Sequence, residues 1–218
     1  PSAETRYRLC LAIANCRDSS LVTQLATLLA DQSPTVRTGA AFALGQLASQ
    51  TAESLLVQHL SSETDTEVRQ QTVLALAQFG NLSTLNFLLE TNSEYLGKAL
   101  IYYFQRQIYN PASLNYAVSH LQSNRHSESY QSAFALSRVQ NQAVMQEYVS
   151  ILKTALKTAD QVTRIKLVTC LAPVNFSGKA EIWMQLLTDS VPEVRLEAAR
   201  SIRIVAHDPL ILHQVFDD

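Results

Sequence analysis

One segment recurs along this chain about every 31 residues, and no other feature of the sequence limits the fold as strongly. Seven two-residue segments occupy the same place in successive copies: Thr5-Arg6, Val36-Arg37, Val68-Arg69, Leu96-Gly97, Glu128-Ser129, Thr163-Arg164 and Val194-Arg195. Their first residues lie 31, 32, 28, 32, 35 and 31 residues apart. A period of about 20–50 residues is typical of solenoids, in which each repeat packs against its neighbours. The sequence therefore predicts about seven stacked repeats.

Each repeat has the pattern of two helices joined by a short turn. The second helix of the clearest repeat has apolar residues at the 3.6-residue period of one helix face: Val36, Ala40, Ala43, Leu44 and Leu47. Pro34 fits the first turn of this helix because the N–H that proline lacks would have no partner there, and Ser33 is the predicted N-cap. The first helices of the repeats are predicted at residues 21–30, 52–60, 82–89, 112–121, 143–156 and 182–187.

Composition excludes the main alternatives to an all-α fold. The 218 residues include only 5 Gly and 6 Pro, too few for the turns that a β-sandwich or β-barrel needs. Hydrophobic residues make up 47% of the chain, so we expect an ordered core. No apolar run approaches the roughly 18–20 residues that cross a bilayer. A net charge of −2 gives no general attraction for nucleic acid.

The turn and second helix of these repeats carry a motif: an Asp in the turn, then Val-Arg, then two small residues, one residue of any type and Ala-Leu, as between Asp31 and Leu44. The motif resembles the HEAT repeat in its short bacterial form, which is also seen in phycobilin-lyase-type repeats. This resemblance covers essentially the whole chain. It implies a right-handed α-solenoid that forms a single domain over residues 1–218, with divergent repeats at about 94–140.

The resemblance also implies a structural ladder in which turn acids and arginines bond within and between repeats. A guanidinium can satisfy a turn carboxylate and helix-end carbonyls together. The predicted pairs are Asp31 with Arg37, Asp65 with Arg69, Asp160 with Arg164, and Asp189 with Arg195. Gly97 and Ser129 stand in place of the arginine in the fourth and fifth repeats, so we expect the ladder to be interrupted there.

A narrower resemblance concerns the segment 41–46, Ala-Phe-Ala-Leu-Gly-Gln, and the order of the following units. They are similar to the helical region of bacterial cyclophilin-type peptidyl-prolyl isomerases, where such repeats accompany a separate β-barrel domain. Composition excludes that barrel, so this chain is expected to hold no isomerase site.

The chain opens on the second helix of one repeat and closes on the first helix of another, at 209–216, and each lacks its partner helix. We therefore expect a longer protein that continues in both directions. No secretion signal is visible in this segment, and the sequence does not decide between a cytoplasmic and a periplasmic location.

Residues that could perform catalysis or hold a metal or cofactor do not form a recognisable set. The five histidines never lie four residues apart: His59, His120, His126, His207 and His213. No phosphate-binding glycine loop or nucleophile motif is present. Cys10, Cys16 and Cys170 are predicted to be small apolar core residues. We expect no catalytic residue, no metal site and no cofactor.

The middle of the chain is unusually rich in tyrosine. Six of the eight tyrosines fall between residues 95 and 130. Tyrosine and arginine are enriched at binding hot spots. The predicted protein-binding patch consists of Tyr102, Arg106, Tyr109, Tyr116, Arg125 and Tyr130, of which the first three share one face if they lie on a single helix. The alternative is that these bulky side chains fill space at a divergent junction between repeats.

These observations favour a non-enzymatic scaffold whose curved face binds a protein or peptide. The alternative is an accessory helical region of a cyclophilin-type isomerase whose catalytic barrel is absent from this chain. A third class, an enzyme that acts through the solenoid itself, includes bilin lyases and alkyl-base glycosylases. The near-neutral charge and the single Trp183 argue against the glycosylase. We expect no nucleic-acid partner and no membrane insertion, and the oligomeric state is left open.

Overall fold

The computed structural model describes residues 1–91 and 95–205, and within these ranges it contains α-helices and turns but no β-strand. The chain divides into two compact units, Pro1–Tyr109 and Asn110–Asp218, each of which is described by itself. The single domain expected over residues 1–218 stays a prediction. The predicted helix at 209–216 lies outside the described residues, as do His207 and His213.

The first unit contains seven α-helices in its described part. They are α1 (Ala3–Cys16), α2 (Val22–Leu28), α3 (Pro34–Leu47), α4 (Gln50–Ser62), α5 (Thr66–Phe79), α6 (Leu82–Glu90) and α7 (Leu96–Gln105). The second helices of the repeats form one row, in which α1 packs against α3, α3 against α5 and α5 against α7. Helices α2, α4 and α6 each pack against the second helix that follows them.

The second unit repeats this arrangement in its described part. Its helices are α8 (Pro111–Ser119), α9 (His126–Leu136), α10 (Gln142–Gln146), α11 (Val149–Thr158), α12 (Gln161–Leu171), α13 (Lys179–Leu187) and α14 (Pro192–Val205). Helix α12 packs against both α9 and α14, while α8, α11 and α13 pack against the second helices that follow them. The helix pairs confirm the all-α solenoid that the sequence predicts.

The predicted helix at 143–156 is wrong in one respect, because it is divided into α10 and α11. Tyr148 lies between the two helices, and its backbone N–H donates to the carbonyl of Met145 at 3.1 Å, which closes a tight turn. The Tyr148 hydroxyl then donates to Asn115 Oδ1 on α8 at 3.2 Å. The turn therefore places a tyrosine against the preceding first helix, which apolar periodicity alone does not reveal.

Some helix N-termini are set by polar side chains or prolines, but the predicted cap Ser33 is not among the capping side chains. Pro34 begins α3, but the side chain of the predicted cap Ser33 makes no capping hydrogen bond. Instead, Asp31 Oδ1 accepts the Ser33 backbone N–H at 2.8 Å and holds the turn before the helix. Asp65 and Asp160 are true N-caps, because each accepts two backbone N–H groups in the first turn of its helix.

The second helices approach each other closely where small residues face one another. A Cβ atom added at Gly45 of α3 would lie 2.9 Å from the Cβ atom of Ala75 on α5 and 3.0 Å from its Cα atom. Tyr103 of α7 stands at the repeat position that Ala43 and Ala75 have in α3 and α5. It is fully buried, and its hydroxyl donates to Thr84 Oγ1 at 2.8 Å. Close packing of α3 and α5 therefore depends on glycine at position 45.

Replacing Gly45 by valine is expected to lower the free energy of unfolding by about 1–3 kcal/mol, because the added carbons overlap the backbone of α5. Valine has a higher helix propensity than glycine, which reduces but does not cancel this loss. Urea denaturation measures the change, with Thr38→Val on the half-exposed side of α3 as the matched control. A Gly45→Val variant as stable as the wild type would contradict the close approach of the two helices.

Candidate functional site

The arginine ladder is present in both units, and it runs from one repeat to the next. Arg6 donates to both carboxylate oxygens of Asp31, at 2.6 and 2.8 Å, and the two residues are 25 positions apart. Arg37 contacts Glu63 in the same two-bonded manner at 2.7 and 3.1 Å. In the second unit, Arg164 Nη1 donates to Asp189 at 2.7 Å. Each arginine therefore binds an acid in the turn of the following repeat.

Within their own repeats, Arg37, Arg69 and Arg195 contact main-chain carbonyls rather than a carboxylate. Arg37 Nη1 donates to the carbonyl of Asp31 at 2.8 Å, and Arg195 Nη1 donates to that of Asp189 at 2.6 Å. Arg69 Nη1 donates to the carbonyl of Glu63 at 2.8 Å. These carbonyls lie in the turns where helix geometry leaves acceptors unsatisfied. The turn is thus held by its own arginine and joined to the previous repeat by its carboxylate.

This geometry corrects the predicted pairing. Arg37 contacts only the main-chain carbonyl of Asp31, and Arg195 only that of Asp189, so neither predicted carboxylate pair forms. The side chains of Asp65 and Asp160 cap their own helices instead of binding Arg69 and Arg164. The acid missed by the sequence analysis is Glu63. The fifth repeat has no arginine in this position, and there Ser129 Oγ donates to the carbonyl of Leu121 at 2.7 Å.

The ladder carboxylates are held in their charged form. Burial raises the pKa of Glu63, but the Arg37 guanidinium and the backbone N–H groups of Asp65 and Thr64 outweigh it and lower the pKa to about 2. The hydrogen bonds from Arg6 and from the Ser33 backbone lower the pKa of Asp31 to about 2. Nearby, burial lowers the pKa of His59, whose Nε2 lies 3.2 Å from Glu63 Oε2 without hydrogen-bond geometry.

Stability is therefore expected to fall in two steps as the pH decreases. A folded-state pKa below the unfolded one means that the unfolded chain takes up the proton first, so acid favours unfolding. Below about pH 6.5 the unfolded chain protonates His59, and between about pH 4.5 and pH 2 it protonates the ladder carboxylates, Glu63 and Asp31. Urea unfolding across this range measures the effect.

The matched control for this pH dependence is Glu63→Gln, which removes the deepest ladder carboxylate. This variant is expected to be less stable than the wild type at pH 7 and to lose less stability than the wild type between pH 4.5 and pH 2. Equal acid sensitivity of the two proteins would contradict the role given to Glu63.

A row of large apolar side chains lies on the second helices of the first unit. Each member is the sixth residue after the first residue of the aligned two-residue segment: Leu11, Phe42, Leu74 and Tyr102. The first three are half-buried, and Tyr102 is 40% exposed. One turn further along, Gln46 Nε2 donates to Gln78 Oε1 at 3.1 Å, so equivalent positions of α3 and α5 lie side by side. We call these four residues the apolar row.

The predicted tyrosine patch divides at the boundary between the units. Tyr102 is a member of the apolar row, and Arg106 Nη1 donates to the carbonyl of Ala77 at the end of α5 at 2.8 Å. Helix α7 ends at Gln105, so the single helical face predicted for Tyr102, Arg106 and Tyr109 is wrong. The Tyr109 ring instead meets the Phe104 ring edge-on at 5.9 Å.

In the second unit, the other three members of the predicted patch make local contacts. The Tyr116 ring stacks on His120 at 4.1 Å, and burial raises the pKa of Tyr116. Arg125 pairs with Glu128 at 2.9 Å on the surface, and the Tyr130 ring lies 5.8 Å from that of Phe134. Each unit therefore holds three of the six residues, and Arg106 and Tyr109 have packing roles.

The residues that the sequence analysis missed follow from the repeat alignment itself. Phe42 and Leu74 occupy the same register position as Tyr102, which a search for tyrosine clusters does not reveal. Phe134 has this position in α9, where Arg138 and Lys166 each lie 4.6 Å from its ring centroid. The signal is a large apolar residue at a fixed offset of six residues in the first five aligned repeats.

The described residues contain no cluster of metal-ligating side chains, and two of the three cysteines are buried. In residues 1–91 and 95–205, no three His, Cys, Asp or Glu side chains lie close enough to hold a metal ion. Burial raises the pKa of the Cys10 thiol to about 11, and it also raises that of Cys170, so both are poor nucleophiles. Cys16 is exposed, which corrects the prediction that all three cysteines are core residues. None of the helices in the described ranges has the length and apolarity to cross a membrane.

Comparison with known proteins agrees with this geometry. The family model for HEAT repeats matches residues 1–77 and 22–96. An engineered protein of known crystal structure has a TM-score of 0.63 at 18% identity, covering 85% of this chain and 96% of its own. A second engineered protein has a TM-score of 0.59 at 20% identity, covering 94% of this chain and 65% of its own. Human deoxyhypusine hydroxylase in complex with glycerol has a TM-score of 0.45 at 18% identity, with coverages of 95% and 81%.

A search of curated proteins finds no match. The family match confirms the HEAT-repeat resemblance in its two overlapping ranges, 1–77 and 22–96, and the two engineered proteins share the helical repeat fold. The narrower resemblance to cyclophilin-type isomerases stays a prediction, since none of these comparisons tests it.

Proposed function

We propose that this chain is a non-enzymatic module that binds a segment of a partner protein on the apolar row of its first unit. That unit includes the two overlapping ranges, 1–77 and 22–96, that match the family model for HEAT repeats. Repeat architectures of this kind present extended surfaces along their stacked helices. The single observation that carries the proposal is the row itself. Four large apolar side chains, one on each second helix, stand at one repeat position and remain partly exposed.

The occupant that fits this surface is an extended protein segment with apolar side chains at intervals. Apolar side chains of the segment would cover Phe42, Leu74 and Tyr102, which removes apolar surface from water. The amides of Gln46 and Gln78 lie one helical turn away and can hydrogen-bond to the main chain of such a segment. Apolar contacts in a row, bordered by amides, are the features that recognise a peptide.

Three arginines and two acids of this unit are already committed to structure, which supports a binding role rather than a catalytic one. Arg6, Arg37 and Arg106 hold turns and helix ends, and Asp31 and Glu63 are bound by arginines on their carboxylate oxygens. Their low carboxyl pKa values follow from these ion pairs. Such groups stabilise the stack and are not poised for proton transfer at neutral pH.

Selection from a displayed library of random-sequence peptides tests the proposal. Peptides rich in Leu, Ile and Phe are expected to bind the wild type. Binding should weaken about tenfold or more in Tyr102→Ser, because partly buried aromatic anchors dominate such interfaces. The matched control is Leu82→Ser, which changes a leucine that is 51% exposed on the first helix α6 of the same unit.

Melting curves of each variant serve as the check that it is folded. The proposal is overturned if no peptide is enriched. It is also overturned if the enriched peptides bind folded Tyr102→Ser as tightly as they bind the wild type.

A further inference from the structure

A pair of adjoining clefts lies beside helix α11 in the second unit. The larger cleft, about 470 Å³, is lined by α11 and the Phe176 loop, and the smaller, about 170 Å³, by α11, Arg164 and helix α13. Lys153 and Lys157 line both clefts. The two lysines therefore stand at the centre of one continuous basic surface, which we call the α11 clefts.

The two lysines have no carboxylate partner among the described residues. They are four positions apart on α11, where like charges repel each other. Lys153 Nζ lies 5.4 Å from the centroid of the Phe176 ring, a cation–π contact that leaves its charge unneutralised. Glu147 is the acid that lines the larger cleft, and Asp189 in the smaller cleft is already bound by Arg164. The clefts therefore hold more positive than negative charge.

Arg164, which lines the smaller cleft, is bonded differently from the ladder arginines of the first unit. In Arg6 and Arg37, the ladder arginines of the first unit, Nε donates to a carboxylate at 2.6 and 2.7 Å. Arg164 bonds Asp189 through Nη1 instead, and its buried Nε has no hydrogen-bond partner. A buried donor without an acceptor is costly, but this Nε atom is too buried for a ligand in the cleft to reach, so the anion contacts are assigned to the two lysines.

We propose that the α11 clefts bind an acidic segment of a partner protein, with its carboxylates against Lys153 and Lys157 and an apolar side chain against Phe176. Charge complementarity carries this assignment, since a carboxylate supplies the counter-charge that the chain does not. Phe176 is half-buried beside the lysines and offers an apolar contact that a free inorganic anion would not use. This site is separate from the apolar row and rests on different observations.

The test uses the complete chain and a short fluorescent peptide of alternating Glu and Leu, with a Gln-for-Glu peptide of the same length for comparison. The acidic peptide is expected to bind, and its affinity should fall as salt rises. The variant Lys153→Gln/Lys157→Gln should weaken binding about tenfold or more. A melting curve is expected to show that this variant is folded; it removes the Lys153–Phe176 cation–π contact together with a like-charge pair. The matched control Lys98→Gln changes an exposed lysine of the first unit and should bind as the wild type does.

The result that overturns the proposal is equal binding of the acidic peptide by the double variant and the wild type, or no binding at all. Equal affinity for the Gln peptide would exclude recognition of carboxylates. An oligonucleotide that displaces the acidic peptide at the same concentration and salt would assign the clefts to polyanions in general, and so would also contradict the proposal. Tyr102→Ser must leave acidic-peptide binding unchanged, because that residue belongs to the apolar row; a loss there would place the peptide elsewhere.

Discussion

Replacing Trp183 by alanine is expected to lower the free energy of unfolding of the second unit by about 3–5 kcal/mol, the range for removing a buried aromatic side chain. Trp183 lies on α13 and is fully buried. Its indole Nε1 donates to Ser201 Oγ on α14 at 3.0 Å, and Lys179 Nζ lies 5.6 Å from the ring. The substitution therefore removes the largest side chain between α13 and α14 and one buried hydrogen bond.

Circular dichroism during urea unfolding measures this effect, because the chain has no second tryptophan for fluorescence. The matched control is Leu196→Ala, which shortens a side chain that is half exposed on α14. The control should change stability by less than about 0.5 kcal/mol. Equal stability of Trp183→Ala and Leu196→Ala would contradict the packing of α13 on α14.

Replacing Leu76 by alanine is expected to cost about 2–5 kcal/mol in the first unit, because the vacated volume in the row of second helices cannot collapse fully. Leu76 of α5 is fully buried, as is Leu44 at the equivalent position of α3. Since α5 packs against both α3 and α7, the substitution is expected to weaken the packing at two interfaces. Leu44→Ala should give a similar loss in the same urea experiment.

The control for both leucine variants is Leu82→Ala, at an exposed position of α6 in the same unit. It should leave the unfolding midpoint close to that of the wild type. If Leu76→Ala and Leu44→Ala both unfold at the same urea concentration as the wild type, the shared apolar stripe does not hold the second helices together.

The repeat period and the apolar periodicity were sufficient to predict the helix pairs. Val36, Ala40 and Leu44 are fully buried, as a single apolar face requires. The break between α10 and α11 was not predictable in this way, because both helices continue the same apolar pattern. It depends on the turn at Tyr148 and on the contact of that side chain with Asn115 of another repeat.

The ladder was predicted in its residue types but not in its partners. A turn contains several acids, and sequence does not tell which of them extends toward the previous repeat. Asp31, Glu63 and Asp189 all lie six residues before the arginine of their own repeat, and each binds an arginine of the preceding one. Asp65 lies two residues after Glu63 and is used as an N-cap instead.

The candidate binding surfaces were predictable only in part, for a related reason. Tyr102 was found because tyrosines are concentrated near it, while Phe42 and Leu74 required the register of neighbouring helices. The α11 clefts involve residues from α11, α12 and α13, and nothing in the sequence indicates that Lys153 and Lys157 lack an acidic neighbour. Charge pairing across repeats is a property of the packed structure.

The most direct measurement of binding at the apolar row is an NMR titration of methyl-labelled leucine residues with a peptide selected by the wild type. The methyl resonances of Leu11 and Leu74, which are half-buried members of the row, are expected to shift with increasing peptide, while those of exposed Leu82 and Leu196 stay unchanged. Saturable shifts confined to the row are the predicted result. Saturable binding that leaves Leu11 and Leu74 unshifted would contradict it.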